Sequence, residues 1–282
     1  MPDKKKFTEV GVHWMDQGYF ATPLSASDLL QLPEPERSLW SIWQDRFFEA
    51  KRGNFRGICD LIDVYEKTES WTLGGACAEL LGNAGDEACL EQMAERMSES
   101  PDAIVHLTMQ IEFSDAFGIA GVLALVPTIV ETYRRHHTFD DAEILPGTLS
   151  AMLEPTFDAF CEPREYGSID AYCTAVLDRH AELSARLSPR AIIFRGEVFS
   201  MRRHALAVLD SLASGNLKLR LRQQFEASTG IETAQFYKGG RLQPLTAAAI
   251  VEGFLASPVA AHYVDGARYF FGHRIPESAP FE

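Results

Sequence analysis

The sequence predicts an all-α protein, an irregular helical-repeat stack followed by a compact, mostly helical C-terminal part. Three observations carry this. Apolar residues recur at helical spacing through most of the 282 residues. Between Asn54 and Phe113, four such patterns follow one another with very short breaks. They group as two helix pairs, Asn54 to Gly85 and Asp86 to about Ser114, with a period of roughly 30 residues, as in an α-solenoid. At this length, area scaling buries nearly three-quarters of the unfolded surface, enough for a core without staples.

The elements follow in order. Pro23 and Pro33 mark irregular structure in the first 33 residues, with a short helix over Ser25 to Leu32. A helix after Pro35 runs to about Lys51, presents Leu39, Trp40, Trp43 and Phe47, and stops at Gly53. Asn54 is the expected cap of a stripe of Phe55, Ile58, Ile62 and Tyr65. Ser70 caps the next stripe of Leu73, Ala76, Cys77, Leu80 and Leu81. Gly82-Asn83-Ala84-Gly85 breaks it, and Asp86 caps a successor with Leu90, Met93, Ala94 and Met97. Pro101 starts a fourth helix carrying Ile104, Leu107 and Ile111.

This block resembles HEAT-like repeat proteins. The residues that carry the resemblance are Ala78-Glu-Leu-Leu-Gly-Asn-Ala-Gly-Asp86, followed by Leu90: a helix ending at Leu-Leu-Gly, a tight turn, and an acidic cap. The resemblance covers about 60 residues well and extends more loosely through Ala116–Arg135 and Thr148–Phe160. It implies a scaffold or binding role and transfers no catalytic residue.

Beyond the block, Pro163 to Gly167 reads as a boundary. Helices are expected from Ile169 to near Leu187, over 197–213, over Leu217–Ala227 and from Pro244 to Leu255. Ala191 to Phe194 reads as a short strand or a first helical turn, and Gly230 to Leu242 as a loop or small hairpin around Gly239-Gly240. The implied organisation is an N-terminal segment and first long helix (1–52), an acidic repeat region (53–162) and a C-terminal, mostly helical region (163–282).

Charge is unevenly distributed. The net charge is −14. Residues 53–187 hold 24 Asp and Glu against 8 Lys and Arg, whereas residues 188–282 hold 8 against 11. A concentrated acidic field steers a basic partner and disfavours nucleic acid. Two acidic sets are candidate docking residues: Glu87, Glu91 and Glu95 at i, i+4 and i+8, and Asp60, Asp63 and Glu66 on the preceding pair. A second candidate surface is the aromatic, basic tail with Tyr263, Arg268, Tyr269, His273 and Arg274; the bland alternative is a tail tucked into the core.

Motifs for chemistry are absent: there is no phosphate-binding glycine loop, nucleophile elbow or zinc-protease helix. Cys59, Cys77, Cys89, Cys161 and Cys173 are odd in number and lack C-x-x-C spacing, so they read as reduced core residues of a cytoplasmic protein. His136-His137 with Asp140-Asp141 reads as a helix end and loop rather than a metal site. Arg195-Gly196, Ser228-Thr229 and Glu232 have a weak similarity to ADP-ribosyltransferases, without the strand context those enzymes use. No segment is apolar and long enough to span a membrane.

The sequence therefore points to a non-enzymatic protein-binding module, without metal or cofactor and of open oligomeric state. More narrowly it points to an immunity-type inhibitor that neutralises a basic toxin domain. The alternatives are a helical-repeat adaptor or scaffold, and an enzyme of another class.

Overall fold

The computed structural model describes residues 26–99, 104–156, 159–215 and 217–277, which form twelve α-helices and three two-residue hairpins. The helices are α1 (Ala26–Gln31), α2 (Glu36–Ala50), α3 (Asp60–Lys67), α4 (Trp71–Ala84), α5 (Glu87–Glu99) and α6 (Ile104–Ala120). They continue with α7 (Val126–His136), α8 (Ile144–Leu153), α9 (Ile169–Ser184), α10 (Met201–Ala213), α11 (Leu219–Thr229) and α12 (Pro244–Ala256). The chain is all-α, as expected. None of the described helices is long and apolar enough to cross a membrane.

Local chemistry explains several boundaries. The Ser70 hydroxyl accepts from Leu73 N at 3.4 Å and opens α4; the Asp86 carboxylate accepts from Cys89 N at 3.0 Å and opens α5. Asn54 does something different. Its side chain accepts from Arg56 N, making a local turn, and the helix begins six residues later at Asp60. Pro101 lies outside the described residues. The segment expected as one helix over 197–213 is divided: Ile193–Phe194 pairs with Glu197–Val198 as a hairpin (β1–β2), and α10 starts after it. Two glycines at Gly239-Gly240, both at positive φ, turn the hairpin β3–β4 (Tyr237–Lys238, Arg241–Leu242).

Helices α4 and α6 lie side by side at the centre, with α3 and α5 beyond them and α7, α8 and α9 continuing the packing. Small residues set the spacing. A Cβ at Gly82 would stand 2.8 Å from the Ala116 carbonyl oxygen, and one at Gly118 would stand 1.8 Å from Thr148 Cγ2. Gly118→Ala should therefore cost about 1–3 kcal/mol by overpacking, measured as a lower denaturation midpoint.

One buried core runs from Leu39 through Ile193 and takes in Phe270 and Ile275; a second gathers α10, α11 and α12 around Phe225, Phe236 and Val251. Residues from the N-terminal segment and from α9 thus share the first core. The C-terminal hairpin β5–β6 (Tyr269–Phe270, His273–Arg274) returns to the first long helix. There Phe270 and Phe271 meet Phe47 edge-on at 6.3 and 6.1 Å.

Cys59 and Cys89 form a disulfide, which corrects the expectation that all five thiols are reduced. They stand 30 residues apart. Their Cα atoms lie 5.0 Å apart, within the range a disulfide spans. Cys77 and Cys173 are free and buried, as core thiols.

Candidate functional site

The first acidic set sits on exposed helix faces, much of it already paired. Asp60 holds Arg46 at 2.7 Å, while Asp63 and Glu66 share Arg96 at 3.8 and 3.7 Å. Glu87 pairs with Arg190 at 3.0 Å. Glu91 and Glu95 are exposed. The second set divides. His273 and Arg274 are exposed, but Tyr269 is buried. The part-buried Arg268 guanidinium donates to the Gly82 and Gly85 carbonyls. Arg268 thus caps the C-terminus of α4, where carbonyls have no helical partner and a cation matches the dipole.

The other weighed constellations are structural. His136 is buried, with Nε2 2.7 Å from Gln110 Oε1, and His137 Nδ1 lies 3.0 Å from the Arg134 carbonyl. Arg195 occupies the β1–β2 turn at φ 53°, not a strand, and Ser228-Thr229 ends α11. Cys59, Cys89 and Asp86 are close enough to suggest a metal site, yet the two sulfurs are bonded to each other and Asp86 caps α5.

Unmet chemistry gathers elsewhere. A cleft of ≈ 530 Å³ opens between α4, α6, the start of α8 and the start of α11. Helix α4 contributes Trp71, Gly75, Ala78 and Glu79, spaced to share one face. Helix α6 contributes Thr108, Ile111, Glu112, Asp115, Ala116 and Ile119, again one face. Asp141, Ile144, Leu219 and Arg220 close the far side. Four carboxylates thus face a single guanidinium. Three large apolar side chains at this cleft stand in solvent: Trp71, Ile144 and Leu219 are 66%, 47% and 39% exposed.

The one cation is committed. Arg220 Nη2 pairs with Asp115, which also accepts from the Thr148 hydroxyl at 2.5 Å. The Glu112 carboxyl has a raised pKa, chiefly through burial and against the opposing pull of the Tyr65 hydroxyl. Glu79 has no such partner. Its Oε1 is buried without a hydrogen bond, as are Glu112 Oε2 and Arg220 Nη1. Burial first, and the Asp115 charge second, push the Glu79 carboxyl up to about 8 against the opposing pull of Arg220. At neutral pH, Glu79 therefore largely holds its proton, and an arriving cation would release it.

None of the six acidic residues singled out from sequence lines this cleft. A signal was nevertheless present. Glu79 is the only charged residue in α4, and Glu112 and Asp115 are the only acids in α6. A carboxylate within an otherwise uncharged, apolar helix is one the fold places in the interior.

A second cleft, of ≈ 390 Å³, lies beside the α5 N-terminus and the β5–β6 hairpin. Its charged groups are satisfied: Glu87 by Arg190, Arg268 by backbone carbonyls, Glu277 by Arg274. In the comparisons with known proteins, no family model, curated protein or solved structure matches the chain.

Proposed function

We propose that the chain is a non-enzymatic protein-binding module of the immunity type, which captures a basic toxin domain and blocks it. The observation that carries this reading is the α4–α6–α11 cleft, where buried acid with unmet hydrogen bonds lies beside exposed Trp71, Ile144 and Leu219. Apolar anchors beside desolvated polar groups are how interface hot spots are built. The acidic surface of α3 and α5 adds long-range attraction for a basic partner. The helical-repeat likeness of residues 54–113 supports the same class, an adaptor being its broader form.

The test is co-expression with the product of the adjacent gene. A one-to-one complex and rescue of growth are expected. Trp71→Ala should weaken the complex by ~30-fold, the effect of losing one hot-spot aromatic. Glu91→Lys with Glu95→Lys should slow association at low salt and leave dissociation unchanged. A chain that neither binds nor protects refutes the inhibitor reading.

A second reading is an acid–base enzyme, favoured by the convergence of titratable groups in one cleft. Such chemistry asks for a second free carboxylate beside the protonated one. Asp115 is neutralised by Arg220, which weakens this reading; Glu112 and Asp141 keep it as the alternative.

A further inference from the structure

The cleft has a charge pattern that selects its occupant. Glu79 on α4 and Glu112 on α6 both line the cleft, each with one buried carboxylate oxygen left unbonded. Gly75, one turn before Glu79 on α4, leaves room beside Glu112: a Cβ there would meet only Glu112 Oε1, at 3.7 Å. The groups around Glu79 are Asp115 and Glu112 from α6, Asp141 from the turn before α8, and Arg220 from α11. With the carboxylates ionised, the excess is three negative charges. The resident cation, Arg220, pairs with Asp115 through Nη2 and leaves Nη1 unbonded.

We propose that this cleft is a receptor for one arginine side chain of the protein partner, its guanidinium held by Glu79 and Glu112 and its approach lined by Trp71. The assignment rests on the protein-binding reading above and names the group that reading leaves open. Guanidinium fits better than ammonium for three reasons. Its planar fork can donate to two carboxylates at once. It is weakly hydrated, so a buried floor costs it less. It also stacks on aromatic faces, and the exposed Trp71 indole, about 12 Å along α4 from Glu79, offers one on the way in. The apolar stem finds Ile144 and Leu219 along the wall. An anion is disfavoured by the same count, since it would meet four carboxylates to reach one committed arginine. Docking is also linked to pH: the arriving charge replaces the Glu79 proton, which leaves to solvent.

The experiment uses the full chain and N-acetyl-arginine amide, whose only charge is the guanidinium, with the lysine and glutamine analogues as comparisons. The Trp71 indole and Glu79 carboxyl NMR signals are followed during titration. Saturable one-to-one shifts are expected with the arginine probe, weaker ones with lysine and none with glutamine. Calorimetry at pH 7 in buffers of different ionisation heat should report release of close to one proton. Glu79→Gln, of the same shape, should bind at least ~10-fold more weakly, the cost of one charge-assisted contact, and release no proton. Equal shifts with glutamine, or wild-type affinity in Glu79→Gln, would overturn the assignment. If the arginine probe fails while the basic protein partner still binds, the arginine pocket is wrong and the binding module stands. If the probe binds and no partner complex forms, the pocket stands and the inhibitor reading falls.

Discussion

Replacing Arg268 with methionine lowers the stability of the chain by about 2–4 kcal/mol, read as a fall in the urea midpoint at unchanged slope. The part-buried guanidinium donates to the Gly82 and Gly85 carbonyls, the last acceptors of α4. Methionine fills the volume but leaves both carbonyls unpaired, at about 1–3 kcal/mol each. Removing a part-buried charge returns part of that cost. Burial alone pushes the Arg268 pKa down to about 10, with Asp86 pulling the other way. The net loss still ranks among the largest expected from one side chain, because Arg268 joins the C-terminal hairpin to the turn between α4 and α5. Lysine recovers only part of the loss, since one ammonium cannot reproduce the fork. A change under about 1 kcal/mol for Arg268→Met contradicts this role.

Glu79→Gln has the opposite sign. The Glu79 carboxyl lies at 4.5 in an unfolded chain and is raised to about 8 in the fold. Below 4.5 both states hold the proton and the carboxyl costs nothing. As pH rises past 4.5 the unfolded chain releases its proton and the fold does not, so stability drains away until the folded group ionises near 8. Glutamine keeps the shape and never ionises. Glu79→Gln is therefore expected to be more stable than wild type by on the order of 2–4 kcal/mol at pH 8, with the difference vanishing at pH 4. The same change weakens arginine docking. Gain of stability with loss of binding is the mark of a residue kept for function at the expense of the fold. If Glu79→Gln is less stable than wild type at pH 8, Glu79 is an internal support instead.

The helical architecture was legible because capping and periodicity are local. Ser70 and Asp86 open α4 and α5 through hydrogen bonds within three residues, and both were readable. Asn54 was not, because the same side chain serves a cap or a turn and distant packing decides which. The Cys59–Cys89 disulfide was not legible, because five cysteines without C-x-x-C spacing name no pair and only the folded chain brings these two together. Arg268 caps a helix 183 residues away in sequence, and no local pattern announces such a contact. The cleft was hidden for a related reason. Regular acidic spacing drew attention to Glu87, Glu91 and Glu95, which solvate an outer face. The acids with unmet bonds are isolated ones in apolar helices, and only the α4–α6 packing shows that Glu79, Glu112 and Asp115 share a cavity.

The α4–α6 cleft is proposed to hold the Glu79 carboxyl in readiness for a cation. A carbon-13 NMR titration of the Glu79 side-chain carboxyl in the free protein tests it directly. The expected midpoint is about 8, falling when the arginine probe occupies the cleft. A midpoint at the ordinary carboxylate value near 4.5, unchanged by the probe, would contradict it.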